Sequence, residues 1–314
     1  MESSLPFRIR QFGGEQEGPR LLITAGVHGD EYLPMLAVEA LIRHFESSEA
    51  NLRGTLTLIS IVNPPAFRRG NRCGDDQLDL ARTCPGREDG SATEQIAFHL
   101  SREIENADYY VDIHTGGTEL CILPMAGYIL HPDKTILEKQ RSLANASLLP
   151  FLWGTSAELE GRSLSVARDA NVPAIYVEYL GSHREQRDIL DGESGGVGLD
   201  HPLVAGCLNV MRHLKVVDGV EQSKPQKTVE DWRPQSGHMQ LCCPAPATGF
   251  FKARAQIGDS IAVGDLIAEI DPGAGHPIHQ VTSQQEGTLL VLRDYPRINE
   301  GDTVAVIAES FEKS

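Results

Sequence analysis

The sequence has no run that approaches the roughly 20 consecutive apolar residues of a membrane-spanning helix, so we expect no transmembrane segment. Residues 1–6 lack the charged and apolar regions of a signal peptide, which makes the cytoplasm the expected location. Basic residues are scarce: 28 Lys and Arg against 44 Asp and Glu give a net charge of −16. This charge argues against nucleic acid or an anionic membrane surface as a partner, although a local basic pocket remains compatible with it.

Cysteine pairs are also missing, since none of the six cysteines has a CxxC or zinc-finger spacing. A nucleophilic cysteine stays open at Cys73 or Cys84, which fall in a polar loop, although neither has a histidine beside it in sequence. The main expectation is free and mostly buried thiols at Cys73, Cys84, Cys121, Cys207, Cys242 and Cys243.

The most informative stretch begins with the apolar run Leu21–Ala25, which leads through Gly26 to His28 and Glu31. Helical periodicity follows, so the pattern predicts a buried strand and then a helix over residues 31–45. Positions i and i+3 share one face, and the His28 imidazole can therefore converge with the Glu31 carboxylate. Nitrogen and oxygen donors of this kind suit zinc, although an ordinary polar helix start shows the same short pattern.

A second strand-like run, residues 108–113, ends in His114 and two glycines. Two histidines and one carboxylate around an open position form a common catalytic zinc set. If the two strands are parallel neighbours, these side chains meet at the carboxyl edge of the sheet, where open α/β folds bind ligands. Asp112 is a candidate to orient the His114 ring, although a strand-end aspartate is equally compatible with simple solvation.

The rest of the first two thirds of the chain is typical of an α/β fold. Residues 66–89 lack periodicity, and a loop of this length inside a compact domain is usually functional or disordered. A carboxylate such as Glu178, at the end of an apolar strand, is costly to bury without a purpose. The other predicted elements are a strand over 55–62, a helix over 91–106, a helix over 164–170, a strand over 173–178 and a helix over 202–214.

The pattern changes beyond a polar connecting segment, residues 218–240. Short strands with Gly-Asp turns recur there, around Gly258 and again around Gly301. This quasi-repeat resembles the β-sandwich of biotinyl and lipoyl carriers, but no Met-Lys-Met attachment sequence is present, which argues against a carrier. We therefore predict a catalytic domain over 1–220 and a small all-β domain over 221–314 that covers it.

Three motifs, taken in order, resemble the succinylglutamate desuccinylase/aspartoacylase family of zinc deacylases, which are related to the metallocarboxypeptidases. The resemblance implies a zinc-carboxypeptidase-like three-layer α/β/α domain with a mixed central sheet. It also implies one Zn²⁺ per chain, held by His28, Glu31 and His114, with Glu178 as the general base. The motifs are Gly26-Val27-His28-Gly29-Asp30-Glu31, Asp112-Ile113-His114-Thr115-Gly116 and Val177-Glu178-Tyr179-Leu180-Gly181.

The same resemblance implies substrate binding by the segment Asp79–Gly86. The family pattern there is Asp-Leu-Asn-Arg-x-Phe-Pro-Gly, so Arg82 falls on its arginine, and Arg72 is a second candidate. A guanidinium group binds a carboxylate in bidentate fashion, as an N-acyl amino acid would require. For each arginine the alternative is a loop position without a ligand. The chain departs from the pattern at Ala81 and Cys84, which bears on substrate choice more than on metal binding.

Residues and resemblance together predict a zinc-dependent hydrolase that cleaves the amide bond of a small N-acyl amino acid or a related N-acylated amine. Glu178 would transfer the proton from the activated water to the leaving amine, and Arg82 would hold a substrate carboxylate. Two alternatives stay open: a metallocarboxypeptidase acting on short peptides, and a non-catalytic protein that binds zinc or a small ligand. The acyl group, the amine, the physiological metal, a homo-oligomeric state and the reach of Tyr295 into the pocket are also left open.

Overall fold

The computed structural model describes residues 5–47, 52–191, 197–237 and 243–309. Predictions that concern residues 1–4, residues 238–240 of the connecting segment or Cys242 lie outside these ranges. No helix in the described ranges combines the length and the apolar character that crossing a bilayer requires.

The helices and strands alternate over the first two thirds of the chain. The helices are α1 (Tyr32–Ser47), α2 (Pro64–Arg69), α3 (Ala92–Glu105), α4 (Lys134–Ala146), α5 (Ser163–Asp169), α6 (Ser182–Asp191) and α7 (Pro202–His213), with a 3₁₀ helix at Leu80–Arg82. The strands are β1 (Arg10–Gly13), β2 (Gln16–Ala25), β3 (Arg53–Ile59), β4 (Tyr109–His114), β5 (Leu120–Ile129), β6 (Phe151–Thr155), β7 (Ala174–Leu180), β8 (Lys227–Glu230), β9 (Gly249–Ala253), β10 (Ser260–Ile261), β11 (Leu266–Asp271), β12 (His279–Thr282), β13 (Gly287–Arg293), β14 (Arg297–Ile298) and β15 (Ala305–Ala308).

A mixed sheet forms the centre of the fold. Its strands β3, β2, β4 and β7 are parallel neighbours in that order, with Leu21 beside both Leu56 and Tyr109. β5 runs antiparallel to β7, and β1 runs antiparallel to β3. The predicted mixed α/β architecture is therefore confirmed. The parallel pairing of β2 with β4 also brings the ends that precede His28 and carry His114 to the same edge of the sheet.

Helices cover both faces of this sheet. Successive strand residues point to opposite faces, so Leu21 packs towards α1, α4 and α7. Its neighbour Leu22 packs with Tyr110 towards α3 and α5 on the other face. Because both faces are buried, these parallel strands are nearly continuous apolar runs in the sequence. The second face also carries the strand-end polar groups described below.

The described residues 243–309 contain strands and no helix. Four of the strands form a separate sheet in the order β12-β11-β9-β14, and residues such as Ile267 and Leu289 share a core of their own. The central sheet nevertheless continues into this region, because β13 pairs antiparallel with β5 and sets Val291 opposite Ile122. The sequence pattern did not predict this pairing.

Several elements lie in segments where the sequence predicts none, and β8 and α2 are two of them. Strand β8 lies within the connecting segment and pairs in parallel with β6, so this part is an edge strand and not a free linker. Helix α2 follows β3 because Asn63 caps it, accepting a hydrogen bond from the Ala66 N–H, and Pro64 occupies its first turn. Strand β3 ends at Ile59, before the prolines, and the fixed φ of Pro64 favours a helix start.

Candidate metal centre and active site

The carboxyl ends of β2, β4 and β7 meet at one edge of the sheet, and each contributes polar side chains. His28 and Glu31 lie between β2 and α1, and His114 ends β4. Glu178 on β7 is directly opposite His114 in the register of the parallel pair. The four residues predicted from sequence as metal ligands and general base therefore lie together around one cleft.

The turn between β2 and α1 packs directly against α2. A Cβ atom at Gly29 would lie 2.0 Å from the backbone carbonyl carbon of Ala66, so only glycine allows this approach. The Gly29 N–H donates to the carbonyl of Asn71 at 3.0 Å. These contacts fix the backbone immediately after His28, and with it the direction of the imidazole.

Glu31 is enclosed between the two histidine rings. Its carboxylate oxygens lie 2.6 Å from Nδ1 of His28 and 2.9 Å from Nδ1 of His114. Burial raises the pKa of Glu31, but the charges of His28 and His114 outweigh this effect. The pKa of the Glu31 carboxyl therefore lies well below its usual range. One donor atom from each of the three residues lies within 4.8 Å of the others. This donor set of two imidazole nitrogens and one carboxylate oxygen fits a zinc ion with a position left for substrate or water.

Each ring is held from behind by a second carboxylate. Nε2 of His28 is 3.2 Å from Asp79 Oδ1, and Nε2 of His114 is 3.2 Å from Asp112 Oδ2. A ring that donates its Nε2–H to a carboxylate presents the lone pair of Nδ1 to the centre, which is the tautomer that metal binding requires. Asp112 therefore lies where the sequence placed it as an orienting partner. Asp79 was not predicted to contact a histidine.

Asp112 is itself fixed by two hydroxyl groups. Thr24 Oγ1 donates to Oδ1 at 2.7 Å, and Ser163 Oγ donates to Oδ2 at 2.6 Å. The Tyr110 hydroxyl lies 2.9 Å from Thr24 Oγ1 and extends the chain of hydrogen bonds. Both carboxylate oxygens of Asp112 thus accept a hydrogen bond from a hydroxyl group, and these bonds hold the carboxylate towards His114.

The loop that carries Asp79 and Arg82 is anchored to the start of α3. Asp76 Oδ2 accepts hydrogen bonds from Ser91 Oγ at 2.7 Å and from the Thr93 N–H at 2.8 Å. A capping box opens this helix, with Ser91 as the N-cap. Asp79 in turn caps the short 3₁₀ helix that contains Arg82. This loop thus has a defined structure that directs its polar side chains into the cleft.

Glu178 lies beside the metal-binding group and has an open oxygen. Its side chain is buried, and no described residue makes a hydrogen bond to Oε2. Burial raises the pKa of Glu178 to about 8. A carboxyl group with such a pKa can both accept and return a proton near neutral pH, as general acid–base catalysis requires.

We expect this buried carboxyl to affect the stability of the metal-free protein. The pKa of Glu178 rises from an ordinary 4.5 to about 8 on folding, so the folded state keeps a proton that the unfolded chain releases. The contribution of Glu178 to the free energy of unfolding therefore falls as pH rises through this window. As pH rises, the free energy of unfolding of Glu178→Gln should increase relative to that of the wild type by up to about 1.4 kcal/mol per pH unit. Urea unfolding of chelator-treated protein between about pH 5 and 8 measures the difference, and a constant difference would contradict the assignment.

Two arginines project into the cleft. They are Arg82, predicted from the sequence, and Arg162, which precedes α5. Burial and the neighbouring charge of Arg82 lower the pKa of Arg162 to about 10, and its Nε has no partner among the described residues. Guanidinium groups held together in this way favour an anion between them, and a carboxylate matches their geometry.

Arg72 also lines the cleft, but its guanidinium group is bound to Asp79. Nε and Nη2 both donate to Asp79 Oδ2, at 3.1 and 3.0 Å. Burial raises the pKa of Asp79, but the hydrogen bond with His28 and the charge of Arg72 lower it far below its ordinary value. The structure thus gives Arg72 a contact that supports a histidine, besides its place on the cleft wall.

The remaining candidates from the sequence are placed as follows. Ala81 and Cys84 line the cleft, whereas Tyr295 is 44% exposed and is not among the described residues that line it. Burial raises the pKa of Cys84 to about 12, and burial also raises the pKa of Cys73. Both thiols are therefore poor nucleophiles at neutral pH. The five cysteines of the described ranges are free, as predicted.

The mixed sheet carries a buried donor group that could hold a metal ion and an open acid beside it, an arrangement suited to metal-assisted hydrolysis. Comparison with known proteins identifies the family. Residues 17–196 match the succinylglutamate desuccinylase/aspartoacylase catalytic domain. The chain belongs to this family, as the ordered motifs predicted.

Related proteins extend the match beyond the catalytic domain. The N-alpha-acetyl-L-2,4-diaminobutyric acid deacetylase of Halomonas elongata is 28% identical over 307 residues, which cover 94% of this chain and 84% of that protein. The succinylglutamate desuccinylase of Pseudomonas paraeruginosa is 36% identical over 171 residues, or 54% of this chain and 46% of that protein. Both relatives are amide-cleaving deacylases by name, which supports an enzyme of this type.

Solved structures show the same fold. The product-bound ectoine utilization protein EutE (DoeB) of Ruegeria pomeroyi has a TM-score of 0.81 and 25% identity, covering 96% of this chain and 88% of that chain. A succinylglutamate desuccinylase/aspartoacylase of Rhodobacter sphaeroides has a TM-score of 0.80 and 22% identity, covering 97% and 90%. The second similarity shows the fold alone. Both extend over nearly the whole chain, including its C-terminal strands.

Proposed function

We propose that this chain is a zinc-dependent hydrolase that removes the acyl group from a small N-acyl amino acid. The observation that carries the proposal is the meeting of three buried donors with the open Glu178 carboxyl at the base of one cleft. His28, Glu31 and His114 would hold one ion. Such an ion supplies Lewis-acid polarisation of an amide carbonyl and lowers the pKa of water.

The other steps belong to side chains of the protein. Glu178 accepts a proton from the attacking water at its open Oε2 and returns that proton to the leaving amine. Arg82 and Arg162 bind a carboxylate of the substrate and orient the amide towards Glu178. Asp79 and Asp112 keep both imidazole rings in the orientation that ligation requires.

The C-terminal part of the chain bounds the cleft, which favours small substrates over long ones. Gly237 of the connecting segment and Val291 of β13 both line the cleft, so this part closes one of its sides. A cleft bounded in this way suits an N-acyl amino acid better than a long peptide, which favours a deacylase over a carboxypeptidase. The names of the relatives indicate N-acetyl and N-succinyl amino acids as the first compounds to test.

The direct test is hydrolysis of a panel of N-acetyl, N-succinyl and N-formyl amino acids, with metal analysis of the same preparation. We expect turnover of at least one class and about one zinc per chain. Turnover that survives complete zinc removal would contradict the metal requirement. Metal binding without turnover of any panel member would instead favour the non-catalytic alternative.

We expect Arg162→Met to weaken the binding of the substrate carboxylate. Met keeps most of the side-chain volume and removes the charge, so KM should rise about 10- to 100-fold, with a smaller change in kcat. Arg82→Met should act in the same direction. Steady-state kinetics with the best substrate of the panel measure both effects.

The matched controls are a surface arginine and a substrate without the carboxylate. Arg87→Ala removes a solvent-exposed pair with Glu94 and should leave KM unchanged. The amidated substrate should be poor for the wild type, yet no poorer for Arg162→Met, because the group that recognises the carboxylate is already gone. Equal losses with both substrates would argue against Arg162 as the carboxylate partner.

The division of the chain into domains is also a proposal. We propose the division into a catalytic domain over 1–220 and an all-β domain over 221–314, with the carboxypeptidase-like layering and the biotinyl/lipoyl likeness. The separate core around Ile267 supports the division, although the sheet is continuous from β5 to β13. A cytoplasmic location stays a prediction.

A further inference from the structure

Glu185 is a buried acid that the proposed reaction does not use. It lies in α6, the helix that follows β7, and its side chain is almost completely shielded from solvent. One carboxylate oxygen accepts a hydrogen bond from the Leu33 N–H, 152 residues away in sequence. The other accepts from the Thr115 hydroxyl at 3.0 Å. Burial of a carboxylate is costly unless the group is hydrogen-bonded, and these two contacts offset that cost.

Both partners lie within two residues of a predicted metal ligand along the chain. Leu33 belongs to the first turn of α1, two residues after Glu31, and Thr115 follows His114. The first N–H groups of a helix have no partner inside the helix, and α1 has no acidic residue in its own first turn. Glu185 supplies the missing acceptor at this end of the helix. Its carboxylate thus joins the segments that carry two different donors.

We propose that Glu185 is a positioning residue that fixes the distance between Glu31 and His114, so that the three donors are preorganised for one ion. The inference rests on the proposed metal centre. Loss of the carboxylate would free the start of α1 and the β4–β5 turn to move apart, and the ion would then have to order its own ligands. The cost of that ordering would appear as weaker metal binding.

The test compares zinc affinity in three full-length variants by competition with a chromophoric chelator. Glu185→Ala should raise the apparent Kd for zinc about 10- to 100-fold, the range known for residues that support metal ligands. Glu185→Gln retains an acceptor for the Leu33 N–H and should stay within about threefold of the wild type. The control is Asp133→Ala, which removes the N-cap of α4 and should lower the melting temperature without a change in affinity.

A wild-type affinity in folded Glu185→Ala would overturn the inference, since a merely structural acid would lower only the melting temperature. If that variant does not fold, Thr115→Val decides the matter, because it removes the hydrogen bond to Glu185, together with a longer one from the Gly117 N–H at 3.3 Å, and retains the cap of α1. It should raise the apparent Kd by about threefold or more, and an unchanged value would overturn the proposal. A wild-type protein that binds no zinc would instead refute the proposed metal centre itself.

Discussion

Glu178→Gln is expected to lower kcat for amide hydrolysis by about 10²- to 10⁴-fold, the usual contribution of a general acid–base group. Gln has nearly the same shape but cannot accept the proton of the attacking water or return it to the amine. The variant should retain zinc, because Glu178 lies beside the donor group and is not a member of it. Kinetics and metal analysis on one preparation measure both quantities.

A matched acid separates this effect from a general loss of charge. Glu160→Gln removes a carboxylate that is 71% exposed and pairs with Arg168 on the surface, so kcat should not change. Near-wild-type turnover in Glu178→Gln would remove this residue from the proposed chemistry. Loss of turnover together with loss of zinc would assign it to the metal centre instead.

The second large effect is expected for His114→Ala. Two donors are not enough to retain zinc against dialysis, so the metal content should fall from about one per chain to nearly none, and hydrolysis should disappear with it. Zinc should raise the melting temperature of the metal-free wild type and leave that of the variant unchanged, because an ion stabilises only a state that binds it. Mass spectrometric metal analysis and thermal melting measure the two outcomes.

His131 provides the control, since its ring is as buried as that of His114 but is not among the described residues that line the cleft. It accepts a hydrogen bond from the Asp133 N–H at 3.0 Å, so His131→Ala should lose some stability and keep its zinc. Full zinc occupancy in His114→Ala would show that other residues hold the ion.

The parts of the site that local sequence could predict are those fixed by local geometry. His28 and Glu31 are three residues apart at a strand-to-helix junction, and His114 ends a strand with a clear apolar pattern. The capping box of Ser91 and Glu94 is equally local, and it is present. The spacing along the chain determines the pairs His28–Glu31 and Ser91–Glu94, whereas His114 joins its partners through the pairing of β2 with β4.

The supporting contacts were beyond such reasoning because they join distant segments. Asp79 meets His28 across 51 residues, and Glu185 meets Leu33 across 152. Nothing in the neighbourhood of either acid in sequence indicates its partner. A strongly shifted pKa in a cleft does point to such residues, but it depends on the folded structure.

Strand β8 and the pairing of β13 with β5 were not predicted, because both depend on contacts between distant segments. β8 has one buried residue among its four, Val229, so the segment shows no alternation from which to predict a strand. The pairing of β13 with β5 buries Leu290 and Val291 against Ile122 and Phe151. Their apolar character predicts burial, but the partner strand follows only from tertiary docking.

The most direct test of the account is a crystal structure of the zinc-loaded protein with diffraction data on both sides of the zinc absorption edge. We expect one anomalous peak per chain at about 2.0–2.2 Å from Nδ1 of His28, Nδ1 of His114 and an oxygen of Glu31. An active protein whose anomalous peak lies elsewhere, or that shows none, would contradict the central claim that these three side chains hold the ion.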